Sequence, residues 1–266
     1  MPHGTCALCR ESADLQDGHL IAKGFYKAVR EPASVISNPV LVTASTTFQT
    51  SEQVSDYLLC RRCELRLAQN GEEWVLRNSP HRNGRFPMRE ALLRSPIKST
   101  IRAGESYKEP YDSAFDLQRL VYFAASVFWR ASVHTWDRVK HLMERAPLPL
   151  ELNEQLRLFL LHLGAFPIDA VLLISVSASK PLPHIIFPQA NKRANLTDII
   201  GYDFAVPGLQ FRLMYGNIPD LMKQISVAVP PHAVLLTDLV EREIKARRDE
   251  LRKTSRMVGS LGSAAS

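Results

Sequence analysis

The sequence predicts an α+β fold with a cysteine-clamped N-terminal module, a helical pair, an antiparallel β-sheet domain and a C-terminal helix. The chain has only four cysteines, and they form two C-x-x-C pairs near its N-terminus. Long helix-type apolar runs occupy the middle of the chain. From about residue 170 they give way to short apolar runs and alternating patterns, which are typical of strands. Because helices and strands are segregated along the chain, the pattern favours α+β over alternating α/β.

The four cysteines are candidate zinc ligands. Cys6 and Cys9 frame the first C-x-x-C knuckle, and Cys60 and Cys63 frame the second. Four thiolates on two tight knuckles match the tetrahedral geometry of a closed structural zinc site. Two disulfides are the alternative. Nothing at the N-terminus resembles a signal peptide, which predicts a cytoplasmic protein, and a reducing cytoplasm favours the metal over the disulfides.

The two cysteine pairs enclose a strand, a long loop, a second strand and the start of a helix. Residues 15–21 form a half-apolar run with strand character, which contains His19, and residues 57–59 form a second short strand. A helix is predicted from Arg62 to about Arg77, interrupted at Asn70-Gly71. The connecting loop over residues 25–56 is predicted to be either functional or a solvated insertion.

This order of elements, clamped at both ends by cysteine pairs, resembles the zinc-stabilised HNH (ββα-metal) endonucleases. The resemblance covers about residues 1 to 80. It implies that His19 is the general base and that Glu64, directly after the last cysteine, is a ligand of a catalytic Mg²⁺ or Mn²⁺. It also implies that the Cys₄ zinc is structural and that the partner is nucleic acid, with DNA as the substrate to be hydrolysed.

One position departs from the family pattern. The family commonly has an aspartate directly before the histidine, where it also binds the catalytic metal, and here that position is Gly18. Asp17 is one residue earlier and shares a strand face with His19, because neighbouring strand residues point to opposite faces. A bulge around Gly18 would be required to bring Asp17 to the metal, which makes Asp17 a candidate ligand. The departure leaves an alternative open: a zinc-binding nucleic-acid or protein interaction module that does not cut.

Composition and charge agree with a globular protein that binds a polyanion. The 266 residues are 45% hydrophobic and 23% charged, which are ordinary values for a globular chain. A net charge of +6 and a pI of about 9.2 favour a polyanionic partner such as nucleic acid. No stretch approaches the roughly 20 consecutive apolar residues of a membrane-spanning helix, so no membrane partner is expected.

A basic, proline-punctuated stretch is predicted to separate two domains. Between residues 77 and 102 the chain carries basic side chains that only Glu90 opposes: Arg77, Arg82, Arg85, Arg89, Arg94, Lys98 and Arg102. These side chains are candidate phosphate contacts, or charges on a solvated linker. The predicted division is a zinc-bound module over residues 1–95, a linker over 96–111, an α+β accessory domain over 112–258 and a disordered tail over 259–266.

The accessory domain is predicted to begin with a buried helix over residues 112–131, capped by Asp112-Ser113. Arg130 in this apolar helix is expected to form an ion pair, with a ligand contact as the alternative. A second helix is predicted over 150–163, strands over 170–176, 184–187, 202–206, 209–215 and 225–229, and a C-terminal helix over 238–256. By analogy with accessory domains fused to HNH modules in bacterial defence and mobile elements, this half would sense a signal, recruit a partner protein or form a homo-oligomer.

Overall fold

The structure is a computed structural model. It describes the following residues: 1–30, 40–42, 47–49, 52–96, 99–101, 104–108, 115–139, 142, 146–190, 198–228, 232–239, 241–242 and 245–246.

The N-terminal part contains a three-stranded antiparallel sheet in the order β1-β2-β5. Its strands and helices, with a separate two-stranded hairpin, are β1 (His3–Thr5), β2 (Ser12–His19), α1 (Lys23–Val29), β3 (Val40–Val42), β4 (Thr47–Gln49), β5 (Ser55–Cys60), α2 (Arg61–Leu67) and α3 (Glu73–Asn78). The two strands predicted around Leu15 and Leu58 are present and pair with each other. α1 leaves the end of β2, and α2 starts directly after β5.

The helix predicted from Arg62 to Arg77 is present but changes its winding in the middle. A π-helical turn over Ala68–Glu72 joins α2 to α3, and it contains the predicted interruption at Asn70-Gly71. Gly71 faces the long central helix α5 (Leu117–Val133), where a Cβ would lie 2.9 Å from the backbone nitrogen of Phe123. Only glycine allows the two helices to approach this closely.

Further α-helices follow along the chain. They are α4 (Pro87–Arg94), α5, α6 (Leu150–Leu160) and α7 (Asp220–Lys223). Of these, α4 and α5 contact a large sheet. Asp116 caps α5, because its Oδ1 accepts a hydrogen bond from the Arg119 backbone N–H at 3.0 Å. The predicted cap at Asp112-Ser113 lies outside the described residues. None of the helices in the described ranges combines the length and apolar character needed to cross a membrane.

The large sheet has the strand order β6-β7-β12-β8-β11-β10-β9. Its strands are β6 (Ser99–Ile101), β7 (Gly104–Lys108), β8 (Ala170–Ser177), β9 (Ile186–Ala190), β10 (Ile199–Val206), β11 (Leu209–Gly216) and β12 (Ala233–Thr237). The sheet was predicted to be antiparallel, and this is wrong for one pair, since β12 runs parallel to β8. The chain leaves β11, passes through α7 and enters on the other side of β8, in the same direction as β8.

Two parts of this half differ from the predicted pattern. Residues 225–228 form turns and bends where a strand was predicted, and the strand follows at β12. Val227 is fully buried and its backbone N–H donates to Leu172, but Ser226 uses its side chain and carbonyl to fix the turn, so no ladder forms. β6 and β7 lie inside the predicted linker over 96–111 and belong to the large sheet. Of the predicted C-terminal helix, residues 239, 241–242 and 245–246 are helical, and the predicted tail lies outside the described residues.

The larger of the two hydrophobic core clusters in the described part of the chain runs through both predicted halves. Phe123 on α5 belongs to it, and its ring lies 5.9 Å from the ring of Phe25 on α1. The same ring lies 6.1 Å from Phe204 and 5.5 Å from Phe211 on the large sheet. α5 therefore packs between the N-terminal helices and the large sheet, and its buried polar side chains reach the N-terminal part.

Candidate functional site

The four cysteines come together in one cluster. Cys6 and Cys9 lie in the turn after β1, Cys60 ends β5, and Cys63 lies in α2. Their sulfur atoms all lie within 4.8 Å of one another. All four are free thiols, and the Cys9 and Cys60 sulfurs are 3.9 Å apart, against about 2.05 Å for a disulfide bond. This arrangement favours the metal over the two disulfides.

The chemistry of the cluster also fits a metal ion. The thiol of Cys63 donates to the sulfur of Cys6 and lowers the pKa of Cys6 to about 4. The same contact, together with burial, raises the pKa of Cys63 far above its usual value. Without a metal the four groups therefore cannot all ionise, whereas a tetrahedral Zn²⁺ would bind all four as thiolates. The residues fit a structural zinc site.

The cysteine cluster is anchored to α6 in the second half of the chain. Arg157 Nη1 donates to the carbonyl of Leu8, inside the first knuckle, at 2.8 Å. The same guanidinium pairs with Glu154, which also accepts from Arg10 at the end of the knuckle. Arg10 has a positive φ of 64°, a conformation that non-glycine residues rarely adopt outside tight turns. α6 therefore holds the backbone of this turn in place.

Beside the cluster, Glu64 fills the space that a side chain at position 18 would need. Glu64 lies in the first turn of α2, and a Cβ built on Gly18 would lie only 2.1 Å from its Oε1. Gly18 directly precedes His19, the last residue of β2. The strand end and the helix start therefore place Glu64 against the residue directly before His19. That the two side chains share one catalytic site stays a prediction.

Glu64 has no ionic or hydrogen-bonding partner within the described residues. Burial raises the pKa of Glu64 to about 7, the negative charges of Glu72 and Cys6 add to this rise, and Arg130 opposes it. A partly buried carboxylate without a partner is costly, because its ionised form is desolvated with no compensating contact. Such a carboxylate is well suited to bind a cation.

Arg130 on α5 ties the site to the second half of the chain. Its side chain is only 2% exposed, its Nη1 donates to the carbonyl of His19 at 2.7 Å, and its Nη2 contacts Glu72 Oε1 at 2.5 Å. The ion pair expected for Arg130 is therefore confirmed, with Glu72 as the partner. Ser126, one turn earlier on α5, accepts two weaker hydrogen bonds from the same guanidinium.

The environment of His19 lowers its pKa. Burial is the main cause, and the positive charge of Lys23 adds to it. The carboxylates of Asp17 and Glu72 oppose the effect, as does Gln53, although the Gln53 amide oxygen makes no well-aligned hydrogen bond within the described residues. The imidazole is therefore neutral near pH 7, the form that can accept a proton.

The carboxylate of Asp17 forms an ion pair with Arg138. Arg138 Nη1 donates to Asp17 Oδ1 at 3.1 Å, and both side chains are about half exposed. The sheet has a register irregularity between Gln16 and Asp17, where Leu58 of β5 has no partner in β2. Arg138 also lies 3.6 Å from Asp56, so it bridges two acids at this edge of the site. The role of Asp17 as a metal ligand stays a prediction.

A second acid–imidazole pair lies next to Asp17. His134 Nε2 lies 3.0 Å from Asp56 Oδ2, and Asp56 is opposite Gly18 in the β2–β5 ladder. Burial would raise the pKa of Asp56, but hydrogen bonds from His134 and the Tyr57 backbone, with the nearby positive charges, lower it instead. Asp56 is therefore ionised and holds His134 and Arg138 at the rim of the site.

The sequence patterns do not single out Asp56 or His134. From the sequence, Glu72 is either a further carboxylate near the site or an exposed helix acid, and its side chain is only 15% exposed. One signal could have found it, because Glu64 and Glu72 are eight residues apart and that spacing shares one face of a helix. The Asp56–His134 pair joins residues 78 positions apart, and nothing local in the sequence predicts it.

Comparisons with known proteins return no match: no family model, no curated protein and no solved structure is similar to this chain.

Proposed function

We propose that this protein is a metal-dependent endonuclease of the HNH type, which hydrolyses phosphodiester bonds in DNA. In this proposal the β1-β2-β5 sheet and α2 form the ββα-metal module, and zinc on Cys6, Cys9, Cys60 and Cys63 holds it together. Residues in the second half support the module through Arg130 and Arg157. The proposal rests on the sequence resemblance and on the geometry around His19.

The observation that carries the proposal is the carboxylate of Glu64, which packs against Gly18, the residue directly before His19. Arg130 acts on Glu64 through its charge, but Glu64 forms no ion pair and no hydrogen bond among the described residues. Mg²⁺ is bound in many proteins by one or two carboxylates together with substrate phosphates, so a single free carboxylate is enough to begin such a site. Glu72 is a second carboxylate near Glu64, although it forms an ion pair with Arg130.

The chain's own residues supply the proton transfer and its positioning. Neutral His19 would accept a proton from a water molecule whose oxygen bonds to the phosphorus, while the bond from phosphorus to the leaving ester oxygen breaks. The leaving oxygen then takes a proton from solvent, which yields one phosphate end and one hydroxyl end. Arg130 holds the His19 carbonyl, and so fixes the backbone that carries the base. Mg²⁺ or Mn²⁺ held by Glu64 would stabilise the negative charge that develops on the phosphate and the leaving oxygen.

A second candidate is an interaction module that binds nucleic acid or protein without cutting. Two observations favour it: position 18 carries no carboxylate, and the carboxylate of Asp17 is engaged by Arg138. In this case the zinc site and the fold are the same, and only the cleavage is absent.

Nicking of supercoiled plasmid with Mg²⁺ or Mn²⁺ tests the proposal. We expect His19→Ala to reduce nicking by about 10²–10⁴-fold, the usual cost of removing a general base. Glu64→Gln should cause a comparable loss that raised Mn²⁺ partly restores, because the loss acts through metal affinity. Asp17→Ala shows whether that carboxylate takes part, since a large loss would make it a ligand.

Matched surface variants serve as controls. His3→Ala removes an imidazole that is 67% exposed, and Glu73→Gln removes an exposed carboxylate of the same helical segment. Both should nick like the wild type, and all variants should keep their zinc. Nicking that survives His19→Ala contradicts the mechanism. Wild-type protein that binds plasmid without nicking it under any metal condition supports the second candidate.

A further inference from the structure

A cleft between α1 and the end of α3 lies next to the candidate site. It encloses about 310 Å³, and its lining includes Gly24 and Phe25 of α1 and Leu76 and Arg77 of α3. Arg82 and Pro207 also line it. α1 and α3 touch within this lining, because a Cβ on Gly24 would lie 2.6 Å from Leu76. The lining therefore combines apolar side chains with two exposed guanidinium groups, which form the rim of the cleft.

Residues that line the cleft are close in sequence to the residues around His19. Lys23, whose charge acts on His19, immediately precedes Gly24 of the cleft wall. On the other wall, Glu72 of the site is five residues before Arg77 of the rim. Five residues of helix span about 8 Å, and two base-pair steps of a DNA duplex advance by about 7 Å along its axis. A strand that placed a phosphate at His19 could therefore reach the cleft.

The charge of the cleft is positive and not neutralised by its own lining. None of the residues that line it is acidic. Arg77 is exposed and forms no ion pair within the described ranges. Arg82 is also exposed, and its Nη2 donates at 3.2 Å to the carbonyl of Lys27, which fixes the guanidinium at the rim without cancelling its charge.

The neighbouring arginines of the same basic stretch are used differently. Arg85 lies 3.7 Å from Glu90, and Arg89 donates to the carbonyl of Ser179 at 2.7 Å. The structure thus separates the basic residues between 77 and 102, since Arg77 and Arg82 face the cleft while Arg85 and Arg89 have contacts elsewhere in the protein.

We propose that this cleft binds the phosphodiester backbone of the nucleic-acid substrate, with Arg77 and Arg82 as phosphate contacts on one side of the cleaved bond. Guanidinium groups pair with phosphate oxygens through two hydrogen bonds, and such contacts set the register of the strand without reading its sequence. The inference deepens the proposed function and rests on it for the identity of the polyanion. It adds a substrate-positioning surface that binds whether or not cleavage follows.

The salt dependence of duplex binding tests the cleft. The probe is a fluorescently labelled 20-base-pair DNA duplex of arbitrary sequence, titrated at several salt concentrations without chelator and without added divalent cation. Each phosphate contact that is lost reduces the slope of log Kd against log salt by about 1. We therefore expect Arg77→Gln and Arg82→Gln each to reduce the slope by about 1, and the double variant by about 2.

Lys223→Gln is the matched control, because Lys223 is also a surface cation and lies beyond the opposite end of β11 from Pro207. The eight residues of β11 place it roughly 25 Å away, and its slope should equal that of the wild type. Unchanged slopes for both arginine variants overturn the proposal, as does wild-type protein that binds no duplex. If the arginine variants reduce the slope but the wild-type protein never nicks plasmid, the cleft binds phosphates and the nuclease proposal is rejected. If the wild-type protein nicks plasmid but the arginine variants leave the slope unchanged, the nuclease proposal stands and phosphate binding in the cleft is rejected.

Discussion

Gly18 and Glu64 share the space of a single side chain. The glycine weakens the resemblance, because the family commonly has a carboxylate directly before the histidine. The structure places the carboxylate of Glu64 2.1 Å from the point where a Cβ of residue 18 would lie. The absence of a side chain at position 18 therefore leaves the space that the carboxylate of Glu64 occupies. A larger residue at position 18 would have to displace Glu64.

His184 should make the stability of the protein sensitive to mild acid. Its Nδ1–H donates to the Leu182 carbonyl at 2.8 Å, and its Nε2 is buried without a partner in the described part of the chain. Burial lowers the pKa of His184 to about 4, whereas an unfolded histidine has a pKa of about 6.5. The unfolded chain therefore binds a proton more readily between these values, so the free energy of unfolding should fall as the pH drops from about 6.5 towards 4.

His184→Gln removes this titration. Denaturant unfolding at several pH values between 4.5 and 7 should show a weaker loss of stability on acidification than in the wild type, by up to about 3 kcal/mol. The zinc thiolates are equally sensitive to acid in both proteins, so the difference between the two isolates His184. Parallel pH curves for the two proteins would contradict the assignment.

At the scale of elements, the two knuckles join three strands and a helix at one point. The first follows β1, and the second spans the junction of β5 and α2. We expect Cys60→Ser to lose the single zinc ion and to unfold the small sheet, because metal binding and folding are coupled in such sites. Elemental analysis and thermal melting check this, with the exposed neighbour Arg61→Ala as the control. Full zinc content with an unchanged melting temperature in Cys60→Ser would exclude a structural metal.

An element can be predicted from the sequence when the residues that determine it lie within the same short segment. The strand at His19, the helix after Cys60 and the helix α5 have local patterns, and all three are present. The apolar run at 225–229 looks like a strand, but it is buried because Val227 and Ser226 bond to Leu172, a contact the sequence does not reveal. Gly71 was predicted to interrupt a helix, yet its close contact with Phe123 becomes evident only when α5 is in place.

For the whole molecule, the buried pair of Arg130 and Glu72 is one of the polar links between the two predicted halves. Breaking a buried pair by removing one partner costs about 3–5 kcal/mol, because the other charge is left without compensation. We expect Arg130→Met and Glu72→Gln each to lower the free energy of unfolding on this scale. The double variant should cost less than the sum, since it leaves no charge stranded.

Denaturant unfolding of the two single variants and the double variant completes this cycle. Arg130→Lys is the control for charge alone, because lysine lacks the planar fork that reaches both Glu72 and the His19 carbonyl. It should recover only part of the loss. Strictly additive free energies would show that the pair is not coupled.

The sequence could not predict how the two halves meet. Cys₄ spacing and the strand–helix order identify the N-terminal elements and the four cysteines that come together, because those signals lie within a few residues of each cysteine. Arg130 reaches His19 across 111 positions, and Arg157 reaches Leu8 across 149. Such contacts depend on the packing of α5 and α6. The domain division at residues 96–111 stays a prediction.

The position of β7 decides where the chain could be shortened. Ala233, Val234, Leu235 and Leu236 of β12 pair with residues 105–108 of β7, and the three-residue β6 protects that edge. A shortened chain that started at residue 112 would lack both strands and would expose the backbone of an apolar strand to solvent. Unpaired strand edges of this kind recruit strands from other molecules and promote aggregation. A chain that started at residue 96 would keep β6 and β7, and β12 would stay an interior strand.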